Sequence, residues 1–596
     1  MTILNKLNRS NFIRLQDLLK IEQRSKYLFN SIESNNNHWY QDGKKPISTA
    51  NQHHHHSSIL NHHMNDKKPD DYSYGKRDYH HNNNNHVVDQ QCQQIIRGRL
   101  YRWNDVLFSS TFNEIVRLDS SIIDDITQYS LFREKNFIKS FDKGFFSLMP
   151  FVVRSLERLI DLVDQQMFKI GAQKIQMPSI VGKHLWLRSE RWQLSGQEIF
   201  RVNDRHQSEY CLAPTHEEVV TQILASCNQL SHRQLPIYLY QISPKYRDEL
   251  RTKFGLLRAR EFIMKDLYTF DKDEDTAKQT YQLVSSMYEN IFRLLELPVI
   301  KTVGSVGTIG GKHSHEFLLE TNLGEDEMYT CLNCSESFNA ELLDDINDDQ
   351  QQQQQPYCLN CKSHHLTTKR RALELGHSFL LSDRYSKRMG AIYLAEHSNK
   401  QIPLQMGCYG LGISRILAAS VEYLSCKYQQ SLSSDSESSA QSSSSSQSQS
   451  ASTLYDSASN SLFLRWPKLI VPFKICLILP KRDSKEDHGK GTEFSMHLAN
   501  IIRDRFGEDI LIDDRSNLTI GKRLLTAKTI GIPFILVAGR NIIDVRPKFE
   551  VFDMYNVGDD SIDAKQQQQQ QGRLMTQAEI LDHLNIHLKH FQLNKD

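Results

Sequence analysis

The chain has 596 residues, 39% of them hydrophobic and 24% charged, with a formal net charge of +1. That length holds several domains, and that charge balance excludes a global positive field, so any nucleic-acid partner must be held by local basic patches. No run of 18 apolar residues occurs, which excludes a helical membrane span, and ten cysteines of which only four are clustered exclude a secreted disulfide framework.

Residues 1–31 open with Lys6, Arg9 and Arg14, with no acid before Asp17. Leu4, Leu7, Phe12, Leu15 and Leu19 fall near helical spacing. This basic amphipathic stretch resembles a mitochondrial transit segment, whereas Asp17 and Glu22 favour an ordinary surface helix. Residues 32–94 are rich in Asn, His and Gln, including the run His53–His56. They have too few apolar side chains to bury a core and are expected to be disordered.

A folded body is expected over residues 95–430. Val152, Val153, Leu156, Leu159, Ile160, Val163, Met167 and Ile170 recur at three and four residues, which predicts a long amphipathic helix capped by Gly171. A short strand is predicted for Lys174–Pro178. In CLAPTHEE, residues 211–218, Thr215 is a candidate N-cap with Glu218 as box partner, ahead of the apolar Val219, Val220, Ile223 and Leu224. Residues 245–270 read as strand, charged loop, strand. Arg247, Arg251, Lys253, Arg258 and Arg260 in that loop suit a polyanion such as a nucleoside triphosphate, because guanidinium offers forked donors to phosphate. A merely solvated hairpin fits the same charges.

Cys331, Cys334, Cys358 and Cys361 form two Cys-x-x-Cys pairs 23 residues apart, inside an insert at about 328–372. The spacing fits a tetrahedral zinc site, and it also fits free thiols; both readings stand. GCYGLGISR at 407–415 is a Gly-rich strand–helix junction. Residues 431–465 are a Ser-rich linker, and 466–596 alternate strand and helix as a small α/β domain.

Taken together, the stretch YRDELRTKFGLLRAREFIMKD resembles motif 2 of the class II aminoacyl-tRNA synthetases, in the wording of the bacterial and organellar prolyl-tRNA synthetases. Pro178 after helix and strand matches motif 1, GCYGLGISR matches motif 3, and CLAPTHEE, IGGKHSHEF and ELGHSF match the prolyl family between them. The resemblance implies an α+β class II catalytic domain, an antiparallel sheet flanked by helices, followed by a C-terminal α/β anticodon-binding domain. It implies a proline–tRNA ligase using ATP and Mg2+, with L-proline and tRNA(Pro) as substrates, acting as a homodimer in the mitochondrial matrix.

By the same resemblance, Arg247 bridges the α-phosphate and the amino-acid carboxylate. Glu249 orients adenine, Phe262 stacks on it, Arg258 reaches the outer phosphates and Arg415 faces the γ-phosphate. Thr215 and Glu217 hold the substrate's ammonium, and His377 and Phe379 line the proline pocket. Asp514, Arg515 and Lys522 are candidate tRNA contacts. Only 56 residues separate Phe317 from Glu374, too few for the large editing domain many bacterial relatives carry there. A catalytically inactive relative would lack the motif arginines, and Arg247 and Arg415 are both present.

Overall fold

The structure is a computed structural model that describes residues 98–106, 137–194, 196, 198–227, 230–342, 356–396, 400–437, 463–555 and 572–593. The transit-like stretch, the Asn/His/Gln-rich tract and most of the Ser-rich linker lie outside the described residues.

In chain order, the elements around the site begin with strand β1 (Leu100–Arg102), helix α1 (Pro150–Lys169), strand β2 (Gln173–Lys174) and helix α2 (Glu217–Ala225). Strands β3 (Ile237–Tyr246) and β4 (Glu261–Asp271) and helix α3 (Glu274–Leu294) follow. Then come β5 (Val299–Val303), β6 (His313–Glu320), β7 (Asp326–Thr330), β8 (Ser337–Asn339), β9 (Arg370–Ser382), β10 (Gln405–Gly412) and helix α4 (Ile413–Glu437). The C-terminal part has β11 (Ile475–Ile478), α5 (Gly491–Phe506), β12 (Ile510–Asp513) and α6 (Ile520–Thr529). It ends with β13 (Phe534–Val537), β14 (Lys548–Asp553), β15 (Arg573–Thr576) and α7 (Gln577–His587).

Helix α1 forms where the apolar periodicity predicts it. Pro150 occupies the first turn, where its missing N–H is no loss. The helix stops at Gly171, whose φ of 77° lets the Gly171 N–H reach Phe168 O and the Ala172 N–H reach Met167 O, a Schellman closure. Phe151, Val152, Leu156, Leu159, Leu162, Val163 and Met167 are buried along one face. Each large side chain so buried contributes roughly 1.5–3 kcal/mol relative to exposure. The strand predicted over Lys174–Pro178 ends at Lys174, paired in parallel with Tyr240; the Ile175 N–H still donates to Tyr240 O before the chain turns away to Pro178.

Nine strands form the main sheet in the order β6-β5-β8-β7-β9-β10-β4-β3-β2. The central strands β9, β10, β4 and β3 are mutually antiparallel. A further pairing of β6 with β9 closes β5, β6, β9, β7 and β8 into a ring. Directly opposed residues share a face. Gln241, Asp266, Gly410 and His377 therefore form one row across four strands.

The C-terminal sheet has the order β1-β12-β11-β13-β14-β15, with parallel pairing from β1 to β13 and antiparallel pairing at β14 and β15. Its central strands ICLI, ILID and FILV are buried throughout, as strands covered on both faces by helices are. Two boundaries differ from the sequence reading. Leu100–Arg102 lies in this sheet, beside Ile510–Ile512, although it precedes the catalytic helix by some fifty residues in the chain. Helix α4 continues to Glu437, into the Ser-rich stretch, because extending an existing helix costs far less than nucleating one. Arg154 of α1 joins the two sheets' surroundings: it pairs with Asp509, and its guanidinium lies 4.6 Å from the Tyr101 ring and 4.2 Å from that of Phe473. Among the described residues no helix is long and apolar enough to cross a membrane.

Candidate active site

Three members of that row, Asp266, Gly410 and His377, line a cavity of about 210 Å³. Thr215, Arg247, Glu249, Phe262, His377, Phe379 and Arg415, all singled out from the sequence, line it. They come from five separate segments, and the antiparallel register is what brings them together. Gly410 in the floor has no side chain to fill the space between Asp266 and His377.

The β3–β4 hairpin supplies the cationic wall. The Arg247 N–H donates to Arg260 O at 2.9 Å, so the ladder continues past the strand ends, and the Arg247 guanidinium rests 5.3 Å from the Phe262 ring centre. That contact fixes an arginine that would otherwise be free to swing. Arg258 is not on the cavity lining. Its Nε donates to Glu249 Oε2 at 3.0 Å, and Nη1 also pairs with Glu325, which lies 2.7 Å from Lys253 Nζ.

Helix α4 supplies Arg415 directly after β10. Its Nε donates to Leu257 O and its Nη1 to Glu374 O, both at 2.7 Å. The motif 3 arginine therefore ties the hairpin loop to β9. Glu374 also faces the cavity. Burial alone would raise its carboxyl. The hydrogen bond and charge of His377, with the charges of Arg415 and Arg247, instead hold it at about 2. His377 Nδ1 lies 2.9 Å from Glu374 Oε1, its other ring nitrogen meets Ser314 Oγ, and its ring stacks 3.9 Å from Phe379.

The floor is electrostatically organised. Asp266 accepts from Lys245 Nζ at 2.7 Å and from Gln241 Nε2 at 3.0 Å. Lys245 is wholly buried, and that burial lowers its pKa despite Asp266 beside it. Both residues lie within the β3–β4 ladder, Lys245 opposite Phe262 and Asp266 opposite Gln241.

Thr215 sits at the cavity edge, but not as a helix cap. The cap of α2 is His216, with no side-chain cap bond. Thr215 Oγ1 instead donates to Glu217 Oε1 at 2.8 Å and lies 3.2 Å from the Tyr268 hydroxyl. Glu217 is fully buried behind it and is not on the lining. Arg191 Nη1 donates to Glu217 Oε2 at 3.0 Å and to Glu218 Oε1 at 3.1 Å. Ser189 Oγ donates to Glu218 Oε1 at 2.6 Å, and Cys408 Sγ lies 3.0 Å from Glu217 Oε1. The expected box of Thr215 and Glu218 is therefore not formed, and the Glu218 carboxylate is held by Arg191 and Ser189. Burial opposes both charges; Arg191 with the Cys408 and Thr215 bonds outweighs it and lowers Glu217, whereas burial leaves Glu218 raised, with the Glu217 charge adding to it. Arg191, Asp266, Glu374 and Cys408 were not assigned roles from the sequence, although each lies in or beside a stretch the family resemblance covers.

The C-terminal candidates separate. Arg515 is buried; its Nε and Nη2 donate to Asp513 at 3.0 and 2.7 Å, and its guanidinium lies 3.8 Å from the Trp103 ring centre. An arginine committed in this way has few donors left for a tRNA, and its placement does not fit that expectation. Lys522, near the start of α6, is exposed, and Asp514 is partly so.

The two Cys-x-x-Cys pairs come together. Cys331 Sγ lies 3.5 Å from Cys361 Sγ, Cys334 Sγ 3.5 Å from Cys358 Sγ, and all four sulfurs lie within 4.8 Å of one another. A disulfide needs about 2.05 Å, whereas a tetrahedral zinc with bonds of about 2.3 Å spaces its sulfurs at about 3.8 Å. The Cys361 N–H also donates to Cys358 Sγ. This donor set fits zinc.

Residues 200–423 match the family described as tRNA synthetase class II core domain (G, H, P, S and T). A Homo sapiens protein named probable mitochondrial proline–tRNA ligase is 40% identical over 72% of this chain and 82% of its own length. A Schizosaccharomyces pombe protein of the same name is 36% identical over 68% and 84%. Among solved structures, the prolyl-tRNA synthetase of Cryptosporidium parvum complexed with halofuginone and AMPPNP has a TM-score of 0.53 at 17% identity, covering 77% of this chain and 76% of that one, a likeness of fold. On this footing the chain belongs to the prolyl-tRNA synthetases, the proline–tRNA ligase family within class II.

Proposed function

We propose that the chain activates L-proline with ATP to prolyl-adenylate and transfers it to the 3′ end of tRNA(Pro) in the mitochondrial matrix. The observation that carries this is the convergence of Arg247, Arg415, Thr215, His377 and Phe379 on one cavity. A carboxylate is already a nucleophile, so adenylation needs alignment and charge neutralisation at phosphorus rather than a general base. In this reading Arg247 meets the carboxylate and α-phosphate together. Glu249 and Phe262 take the adenine, Arg415 the γ-phosphate, and Arg258 the outer phosphates once it leaves its acidic partners. Thr215, backed by Glu217, takes the ammonium, while His377 and Phe379 enclose the pyrrolidine ring.

Glu374 is an ionised oxygen donor on the cavity wall, which suits a hard cation. It would hold Mg2+, which supplies neutralisation of the triphosphate. The four cysteines would hold a structural zinc that staples the insert. The shortness of that insert supports an enzyme without a cis-editing domain. The basic amphipathic N-terminal stretch and the names of the relatives support the mitochondrial location. The chain acts as a homodimer in this reading, with the motif 1 helix at its interface. The C-terminal α/β part, with Lys522 and Asp514 at its surface, is read as the anticodon-binding domain.

The test is proline-dependent exchange of labelled pyrophosphate into ATP, which needs no tRNA. Exchange with proline but not threonine, abolished by Arg247→Ala in folded protein, is the expected result. Folded wild-type protein that exchanges with no amino acid would overturn the reading.

A further inference from the structure

The terminal helix α7 carries His583 and His587 four residues apart, so both rings project from one face. That face packs on β14, whose last residue is Asp553. The two rings lie 4.3 Å apart between centres, and one ligand atom from each of Asp553, His583 and His587 falls within 4.8 Å of the others. His583 Nε2 is 3.4 Å from Asp553 Oδ2, but it is buried and makes no hydrogen bond. A buried ring nitrogen left without one is costly unless something else occupies it.

We propose that Asp553, His583 and His587 form a second transition-metal site, distinct from the cysteine cluster, for a borderline divalent ion such as Zn2+. Two imidazoles and one carboxylate on a half-buried face are a complete three-ligand set for such an ion, with a fourth position for water. A proton cannot do the same job. Protonating one ring to pair with Asp553 places a cation beside the second ring, whereas a metal accepts both neutral imidazoles at once.

The support around the ligands is already built. The Tyr555 N–H donates to Asp553 Oδ1 at 3.1 Å, which turns Oδ2 toward the histidines. Phe534 meets His583 edge-on at 5.9 Å and His587 at 6.5 Å, so both rings are held by packing. Fixed outer contacts of this kind hold ligands in orientation before the ion arrives. The ion would pin α7 to the antiparallel edge of the C-terminal sheet.

The experiment uses the full chain, stripped of metal with a chelator and dialysed against Zn2+. Bound zinc and the thermal unfolding midpoint are measured for wild type, His583→Gln, His587→Gln and Asp553→Asn. The His53–His56 run can also take up zinc, so the count is read as a difference between variants. Each histidine variant is expected to bind one equivalent fewer than wild type and to lose a zinc-dependent rise in midpoint, with its metal-free midpoint unchanged. A Cys358→Ser variant is expected to lose a different equivalent, so the double variant loses two. Variants that bind as much zinc as wild type, with the same rise in midpoint, would overturn the proposal. If a histidine variant fails to fold, the near-isosteric Asp553→Asn decides by the same count, with at least a tenfold loss of affinity expected.

Discussion

Arg191 and Glu217 form an ion pair from which water is excluded: Nη1 and Oε2 are 3.0 Å apart, with 4% and 0% of the two side chains exposed. Through Thr215 this pair sets the polarity of one wall of the cavity. Removing one member of a buried pair costs about 3–5 kcal/mol, since the other is left uncompensated. Arg191→Met should therefore lower stability by that order in denaturant titration and raise the proline KM in pyrophosphate exchange, with the ATP KM little changed. Arg191→Lys should recover part of the stability. A fully stable Arg191→Met enzyme with an unchanged proline KM would show that Glu217 is held by other contacts.

Glu325 occupies two cations of the hairpin loop, of which Arg258 is the one proposed to reach the outer phosphates. It pairs with Arg258 and Lys253, and all three are partly exposed. Pairs of that exposure are worth at most about 1 kcal/mol, so Glu325→Gln should lower the ATP KM by no more than about fivefold. The effect should shrink at high salt, which screens exposed charge. A raised ATP KM would instead mean that Glu325 holds the loop in its working position.

Glu316 predicts a pH dependence of stability. Burial, with repulsion from Glu374, pushes its carboxyl up from 4.5 to about 8, although Asn339 Nδ2 donates to it at 2.8 Å. The folded value lies above the unfolded one, so its contribution is full below about pH 4.5 and falls away as pH rises through 8. Glu316→Gln should flatten the decline of the unfolding midpoint across that window. Parallel curves for wild type and variant would rule this out.

Arg515 and Lys522 should separate structure from recognition. Arg515→Met breaks the pair with Asp513 and the contact with Trp103, so it should lower the unfolding midpoint while leaving the tRNA KM of the folded enzyme near wild type. Lys522→Ala should leave stability alone, raise the tRNA KM and reduce the salt slope of binding by about one. An unchanged tRNA KM in Lys522→Ala would remove it from the binding surface.

Metal removal is the last test. Cys358→Ser should remove one zinc equivalent and lower the unfolding midpoint, because zinc bound only by the folded insert adds its binding free energy to folding. Full stability after complete removal of zinc would leave the four cysteines as free thiols.

The sequence by itself determined the local elements and the chemical vocabulary of the site. Helix α1 and its Gly171 stop follow from periodicity and one permissive residue. The hairpin follows from two extended apolar runs around a charged loop. Arg247, Phe262, His377 and Arg415 were legible because each lies in a motif. What only the tertiary structure decided is which charges face the cavity and which neutralise one another. Glu217 and Glu218 are adjacent acids in sequence, yet both turn inward to Arg191, some 26 residues upstream. Arg515 resembles a surface cation in sequence and is buried against Trp103. Leu100–Arg102 joins a sheet whose partner strand is some 410 residues away. Pairings at such separations depend on three-dimensional register and burial. A buried charge takes whichever opposite charge the packing brings within reach, because no water is there to solvate it.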